Sequence, residues 1–271
     1  MTRDYRQYLR VEKLPHVWCP GCGHGIITHA IASAMADLQL DPDQIAVLGG
    51  IGCSGRASFL FQTDAMHTTH GRAVAFATGL KLARPDLHVL LVMGDGDALG
   101  IGGNHFIHAC RRNIDLTAVI YNNAIYGQTG GQLAPTTPTE KRSTTSPYGN
   151  VEHPFDIARL AMAAGATYVA RTTSFDFPEI VRFVRRGMAH KGFSVIEVLT
   201  QCPTYYGRLN DLRDPSQMLY EFKSHTVSLE EYHQMSPEEQ AGKIPIGEFL
   251  CEERAEFIES YYGLCQLGRS A

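Results

Sequence analysis

The sequence predicts an α/β protein built on a doubly wound parallel sheet. Two patterns carry this reading: short, continuous apolar runs end in glycine or asparagine, and helix-like stretches follow them. Strands that are apolar throughout need cover on both faces, and crossover helices supply it. In such sheets ligands bind beyond the carboxyl ends of the strands, and here those ends carry Gly, Asp and Asn.

Ile45-Ala46-Val47-Leu48 is the first run and stops at Gly49-Gly50. A second run over 88–93 meets Gly94-Asp95-Gly96-Asp97, and a helix is expected over 103–112. The third, over 116–121, meets Asn122-Asn123. Further on, the pattern predicts a helix over 156–164, a strand over 167–170, a helix over 177–190 and a strand over 194–199. Residues 124–154 are rich in Gly, Thr, Pro and Ser and too long for an ordinary connection, so they form either a functional loop or a disordered one. Two helices are expected in the tail, over 228–233 and 246–262. The organisation expected is an N-terminal segment over 1–40, a central domain over 41–205 and a C-terminal extension over 206–271.

At 271 residues and 44% hydrophobic, the chain can bury a core of its own. A formal charge of −4 gives no electrostatic footing for nucleic acid or an anionic membrane surface. The longest apolar runs, such as Val89-Leu90-Leu91-Val92-Met93, fall far short of the roughly 18 residues that suggest a membrane span. The first residues are charged and lack an apolar h-region, so the expectation is a soluble, cytoplasmic protein. Seven cysteines, an odd number, then argue against a disulfide framework and leave metal ligation or burial to account for them.

Gly94-Asp95-Gly96-Asp97 combines what a diphosphate–metal site needs. Glycines permit close backbone approach, amides at a helix start favour an anion, and a carboxylate can hold Mg²⁺. Asn123 lies 29 positions after Gly94, one strand–helix–strand unit, which brings both strand ends to one sheet edge. Asp95, the Asn123 side-chain oxygen and a carbonyl such as that of Ile125 could then share one ion. Gly-Asp-Gly also makes plain turns, so the pair of motifs carries the argument.

Cys19 and Cys22 form a Cys-x-x-Cys turn, Cys53 follows the first strand and Cys202 the last. Four thiolates suit zinc or an iron–sulfur cluster. A single Cys-x-x-Cys with two distant cysteines is less typical of zinc, and Cys202-Pro203 is a mild pointer to iron–sulfur. A thioredoxin-type redox pair and plain buried thiols are the remaining readings. Cys110, Cys251 and Cys265 are assigned to no site.

The Gly-Asp-Gly and Asn-Asn pair resembles the motif of thiamine diphosphate enzymes. Trp18-Cys19-Pro20-Gly21-Cys22-Gly23, Gly50-Ile51-Gly52-Cys53-Ser54-Gly55-Arg56, the run from Thr69-His70-Gly71-Arg72, and Asn122-Asn123-Ala124-Ile125-Tyr126-Gly127 together resemble β subunits of 2-oxoacid:ferredoxin oxidoreductases. The resemblance implies a pyrophosphate-binding fold and Mg²⁺ on Asp95, Asn123 and Ile125. It implies diphosphate contacts from Gly96, Asp97, Gly127 and Thr129, and a pocket lined by Ile51, Gly52, Cys53, Ser54, His70 and Gly71. It further implies a [4Fe–4S] cluster on Cys19, Cys22, Cys53 and Cys202.

The implied reaction is oxidative decarboxylation of a 2-oxoacid with coenzyme A, electrons passing to ferredoxin. An α subunit is implied as the source of the activating glutamate. Thr129-Gly130-Gly131-Gln132 with Ala134-Pro135-Thr136-Thr137 most resembles members that use 2-oxoglutarate; pyruvate or broad specificity is the alternative. His70 is the candidate for a catalytic role at the cofactor. His24, Arg56, His67, His70 and Arg72 are candidates to read a substrate carboxylate. The rivals are a non-oxidative thiamine diphosphate decarboxylase subunit with structural zinc, and a non-catalytic electron-transfer or scaffold subunit.

Overall fold

A computed structural model describes residues 4–270. Helix α1 (His24–Leu38) leads to β1 (Ile45–Gly49), β2 (Asp64–His67), α2 (Ala73–Ala83), β3 (His88–Gly94), α3 (Gly103–Arg112) and β4 (Leu116–Asn122). A small hairpin, β5 (Ile125–Tyr126) and β6 (Gln132–Leu133), comes next, then α4 (Ile157–Ala164), β7 (Tyr168–Thr173), α5 (Phe177–Ala189) and β8 (Phe193–Leu199). The tail holds α6 (Pro215–His225), β9 (Thr226–Ser228), α7 (Leu229–Gln234), α8 (Pro237–Gln240), β10 (Ile244–Cys251) and α9 (Phe257–Ser270).

The main sheet has the order β2-β1-β3-β4-β8-β7-β10-β9. From β2 to β7 every pairing is parallel, and β10 joins β7 antiparallel. This is the parallel, two-sided sheet the apolar runs predict. Successive residues on each strand serve opposite layers. Val47, Val92, Val119 and Ile196 pack with Ile27, Ile31, Phe183 and Val184 of α1 and α5. Leu48, Leu91, Ala118 and Val195 pack with Val74, Phe106 and Ala161 of α2, α3 and α4. Each such fully buried aliphatic side chain contributes about 1.5–3 kcal/mol of transfer free energy, so the two layers dominate stability.

Local chemistry sets the helix ends. Asp156 caps α4 by accepting from the Arg159 amide, and Gly165 ends it at φ 100°. Asn113 ends α3 in the left-handed region at φ 52°. Its side chain then ties that turn to Thr167, the Phe193 amide and the carbonyls of Arg254 and Ala255.

The tail departs from expectation. Residues 246–262 are not one helix: β10 occupies Ile244–Cys251 and α9 begins at Phe257. Pro245 and Gly247 (φ +140°) disfavour a helix, and the open edge of β7 takes the apolar run as a strand. Residues 124–154 are folded, not disordered. Asn150 donates to the Thr137 and Glu152 carbonyls, and the β5–β6 hairpin anchors the near end. Neither terminal segment stands apart: α1 is a core layer with α5, and β10 extends the sheet. No helix among the described residues is long and apolar enough to cross a membrane.

Arg171 on β7 is 4% exposed and pairs with Glu197 on β8 (2.7 Å) and with Asp156. Removing one partner of a buried pair strands the other charge. Arg171→Met is therefore expected to destabilise the fold by roughly 3–5 kcal/mol. Denaturant unfolding should show the paired Arg171→Met/Glu197→Leu variant less affected than the single one.

Candidate functional site

The carboxyl ends of β1, β3, β4 and β8 stand side by side in the sheet and release four turns at one edge. These turns enclose two adjoining cavities. One is lined by Ile51, Gly52, Cys53 and Ser54 after β1, by Asp95, Gly96 and Asp97 after β3, and by Asn123, Ile125, Gly127 and Thr129 after β4, with His70 alongside. The other, about 420 Å³, is lined by Cys19, Cys22, Cys53 and Cys202 with Trp18, Arg56 and Tyr205. Adjacent strand ends thus bring the residues read from separate motifs to one place.

Asp95 is 2% exposed, and burial pushes its carboxyl up to about 7. Its Oδ2 accepts from the Thr136 hydroxyl, and the Asn123 and Gly96 amides support it. Asn123 Oδ1 accepts from the Ile125 amide at 3.3 Å. A carboxylate so buried is costly to ionise alone, and a divalent cation beside it relieves that cost. One carboxylate, one amide oxygen and a carbonyl form the sparse oxygen set that suits Mg²⁺ shared with a diphosphate.

Asp97 has a different task. Its Oδ1 accepts from the amides of Gly71 (2.8 Å) and Ile51 (3.1 Å) and lies 2.5 Å from His70 Nδ1. All three contacts fall on Oδ1, and Oδ2 is buried without a hydrogen-bond partner. Gly50 must be glycine, because a Cβ there would lie 1.7 Å from Asp97 Oδ2. Gly71 sits behind this knot, against the Gly102 amide, and not on the cavity wall.

The four cysteines share one environment. Burial pushes Cys22 up to about 12 and Cys53 up to about 11, and mutual repulsion among the thiols adds to both. Amides of Thr204, Tyr205 and Tyr206 hydrogen-bond Cys202, and the His24 amide does the same for Cys22. Such donors favour thiolate ligands. Among the described residues, no group of three or more His, Cys, Asp or Glu is gathered closely enough for a single metal ion. Four cysteines lining one cavity could nonetheless hold either a zinc ion or a polynuclear iron–sulfur group. Cys110 is buried in the core, and Cys251 and Cys265 are exposed in the tail.

The candidate carboxylate readers separate. His24 is buried, which lowers its pKa to about 3, so it is neutral. Arg72 donates to the Gly71 and Ile101 carbonyls, a backbone role. His67 packs against the Phe59 ring. Arg56 lines the cysteine cavity near Gln128, and His70 is held by Asp97. Thr136, Tyr126 and Tyr121 went unread as site residues. Thr136 lies in the patternless loop, and Tyr121 reads as part of an apolar strand.

Gly-Asp-Gly and Asn-Asn turns stand on neighbouring parallel strands, the arrangement that could hold a diphosphate and its metal in the thiamine diphosphate-enzyme class. Residues 50–198 match the family described as thiamine pyrophosphate enzyme, C-terminal TPP binding domain. The chain is 50% identical over 260 residues to the 2-oxoglutarate synthase subunit KorB of Methanocaldococcus jannaschii, covering 96% of both. It is 58% identical over 205 residues to the protein of the same name from Archaeoglobus fulgidus, covering 76% of both. A solved 2-oxoglutarate:ferredoxin oxidoreductase from Magnetococcus marinus, with 2-oxoglutarate, coenzyme A and succinyl-CoA bound, superposes with a TM-score of 0.87. Its identity to this chain is 34%, over 97% of this chain and 90% of that one. This chain belongs to the thiamine pyrophosphate enzymes, in the branch of 2-oxoacid:ferredoxin oxidoreductase β subunits.

Asp97→Ala leaves the Ile51 and Gly71 amides without their acceptor and removes the carboxylate beside His70. Hydrogen bonds to a charged group are worth about 1.5–3 kcal/mol each, so a loss of roughly 3 kcal/mol in unfolding free energy is expected. Asp97→Asn, which keeps an oxygen, should lose less in the same denaturation experiment.

Proposed function

We propose that this chain is the cofactor-binding half of an enzyme that oxidatively decarboxylates 2-oxoglutarate with coenzyme A and passes the electrons to ferredoxin. The observation that carries this reading is a shared wall. Cys53, Asn123, Gly127 and Gln128 line both cavities. A Cβ on Gly127 would lie 3.4 Å from Cys53 Sγ and 3.8 Å from both Cys202 Sγ and Asn123 Nδ2. An electron donor in one cavity and an acceptor in the other would be separated by little more than a glycine backbone.

When bound, thiamine diphosphate supplies the carbon nucleophile and electron sink, and a [4Fe–4S] cluster supplies a one-electron acceptor. The protein's part is to hold and orient. Asp95, Asn123 and the Ile125 carbonyl would hold Mg²⁺. Gly96, the backbone of Asp97, Gly127 and Thr129 would face the diphosphate, with Ile51, Gly52, Cys53 and Ser54 as the opposite wall. Cys19, Cys22, Cys53 and Cys202 would hold the cluster. Asp97 fixes the His70 ring with Nδ1 toward the carboxylate, which leaves Nε2 to accept a proton or a hydrogen bond.

The diphosphate-binding unit would be residues 41–205, with 1–40 adding two cysteines and 206–271 extending the sheet. The activating glutamate would come from an α subunit, so this chain alone is expected to be inactive. Reduced thiols in the site fit a cytoplasmic setting.

Anaerobic co-purification with the α subunit tests the whole. It should yield roughly four irons per chain and coenzyme A-dependent ferredoxin reduction with 2-oxoglutarate. Turnover of pyruvate alone would overturn the substrate, and zinc in place of iron would overturn the cluster. Two variants separate the half-sites. Asn123→Ala should weaken Mg²⁺-dependent thiamine diphosphate binding by more than the roughly 10–100-fold typical of residues behind a metal ligand. Cys202→Ala should deplete iron while leaving that binding in place.

A further inference from the structure

His24 is a side chain that the proposed function does not use. It is 1% exposed at the start of α1, and its Nδ1 lies 3.2 Å from Cys22 Sγ. Its ring is held between Trp18 (centroids 5.7 Å) and Tyr121 (5.1 Å, edge-on). Trp18 is pinned in turn, its Nε1 donating to the Cys53 carbonyl at 2.7 Å. Thr28 sits 3.3 Å from the Tyr121 hydroxyl and donates to the His24 carbonyl at 2.9 Å. The ring also lines the cofactor cavity. A buried, fixed imidazole therefore stands between that cavity and one of the cysteines, with a nitrogen on the sulfur.

We infer that His24 raises the reduction potential of the cluster by donating an Nδ1–H hydrogen bond to the thiolate of Cys22. The inference rests on the four-cysteine cluster proposed above. A ligating thiolate accepts and does not donate, so the hydrogen of this pair belongs to the ring. The added electron increases negative charge on the sulfurs, which strengthens each hydrogen bond to them and favours the reduced state. In a buried site of low polarity one such bond has a large effect.

The test uses the anaerobically purified complex with the α subunit, titrated redox-potentiometrically and followed by the electron paramagnetic resonance of the reduced cluster. His24→Phe keeps a ring and removes the donor, whereas His24→Asn places an amide N–H close to the position of Nδ1. With iron content held, the midpoint should become more negative in His24→Phe and return toward wild type in His24→Asn. An unchanged midpoint in His24→Phe overturns the inference. If that variant does not assemble its cluster, wild-type protein with ¹⁵N-labelled histidine decides the matter. Its reduced cluster should show a nuclear coupling to one histidine nitrogen, and absence of the coupling overturns the inference equally. A wild-type complex without iron would instead overturn the cluster itself, and this reading with it.

Discussion

The carboxylate of Asp97 is the tie on which the site depends. Three stretches of chain that share no local sequence signal meet at it: the turn after β1 through the Ile51 amide, the turn before α2 through Gly71 and His70, and its own turn after β3. Amides donating to a buried charge are strong bonds, and breaking them would expose unpaired groups in a dry interior. Cys53 lies two residues beyond Ile51, so the same tie that shapes the cofactor cavity also places a wall of the cysteine cavity. The tie needs room, and Gly50 supplies it, since any Cβ there would collide with the carboxylate.

Parallel topology explains why the two cavities share one edge. Every strand from β1 to β8 in the sheet points the same way, so successive crossovers deliver their turns to the same rim. Gly127 lies between the two cavities, where a Cβ would come into ordinary contact with two thiols and the Asn123 amide together. On the proposed reading, one edge would then serve both the diphosphate end of a cofactor and a cluster.

How much of this was legible in the sequence follows from the range of each interaction. The buried parallel strands were readable because each is a continuous apolar run ended by Gly or Asn. The Asp95–Asn123 pairing was readable because one crossover fixes its spacing. β10 was misread as helix because its character comes from the open edge of β7, which the local residues do not reveal. β2 is exposed along its length and carries no apolar run to read. The task of the Asp97 side chain was not legible in its motif, because it accepts from amides more than 20 residues distant in sequence. Thr136 escaped for the same reason: it acts on Asp95, 41 residues away in sequence, which only the folded chain brings near.

A second buried carboxylate mirrors the first on the other side of Asp95. Glu197, on β8, accepts from Asn122 Nδ2 at 2.7 Å and pairs with Arg171, fixing the residue immediately before Asn123. Asp97 steadies the β1 and β3 side in the same way. Glu197 is satisfied by Arg171 and Asn122, whereas Asp97 meets its two amides and His70 at Oδ1 and holds Oδ2 buried without a hydrogen-bond partner. Asp95 lies between these two braces and has neutral hydrogen-bond donors around it, the Thr136 hydroxyl and nearby amides. The two outer acids thus brace the frame, and the carboxylate between them, buried among neutral donors, is the one beside which a cation would relieve the cost of ionisation.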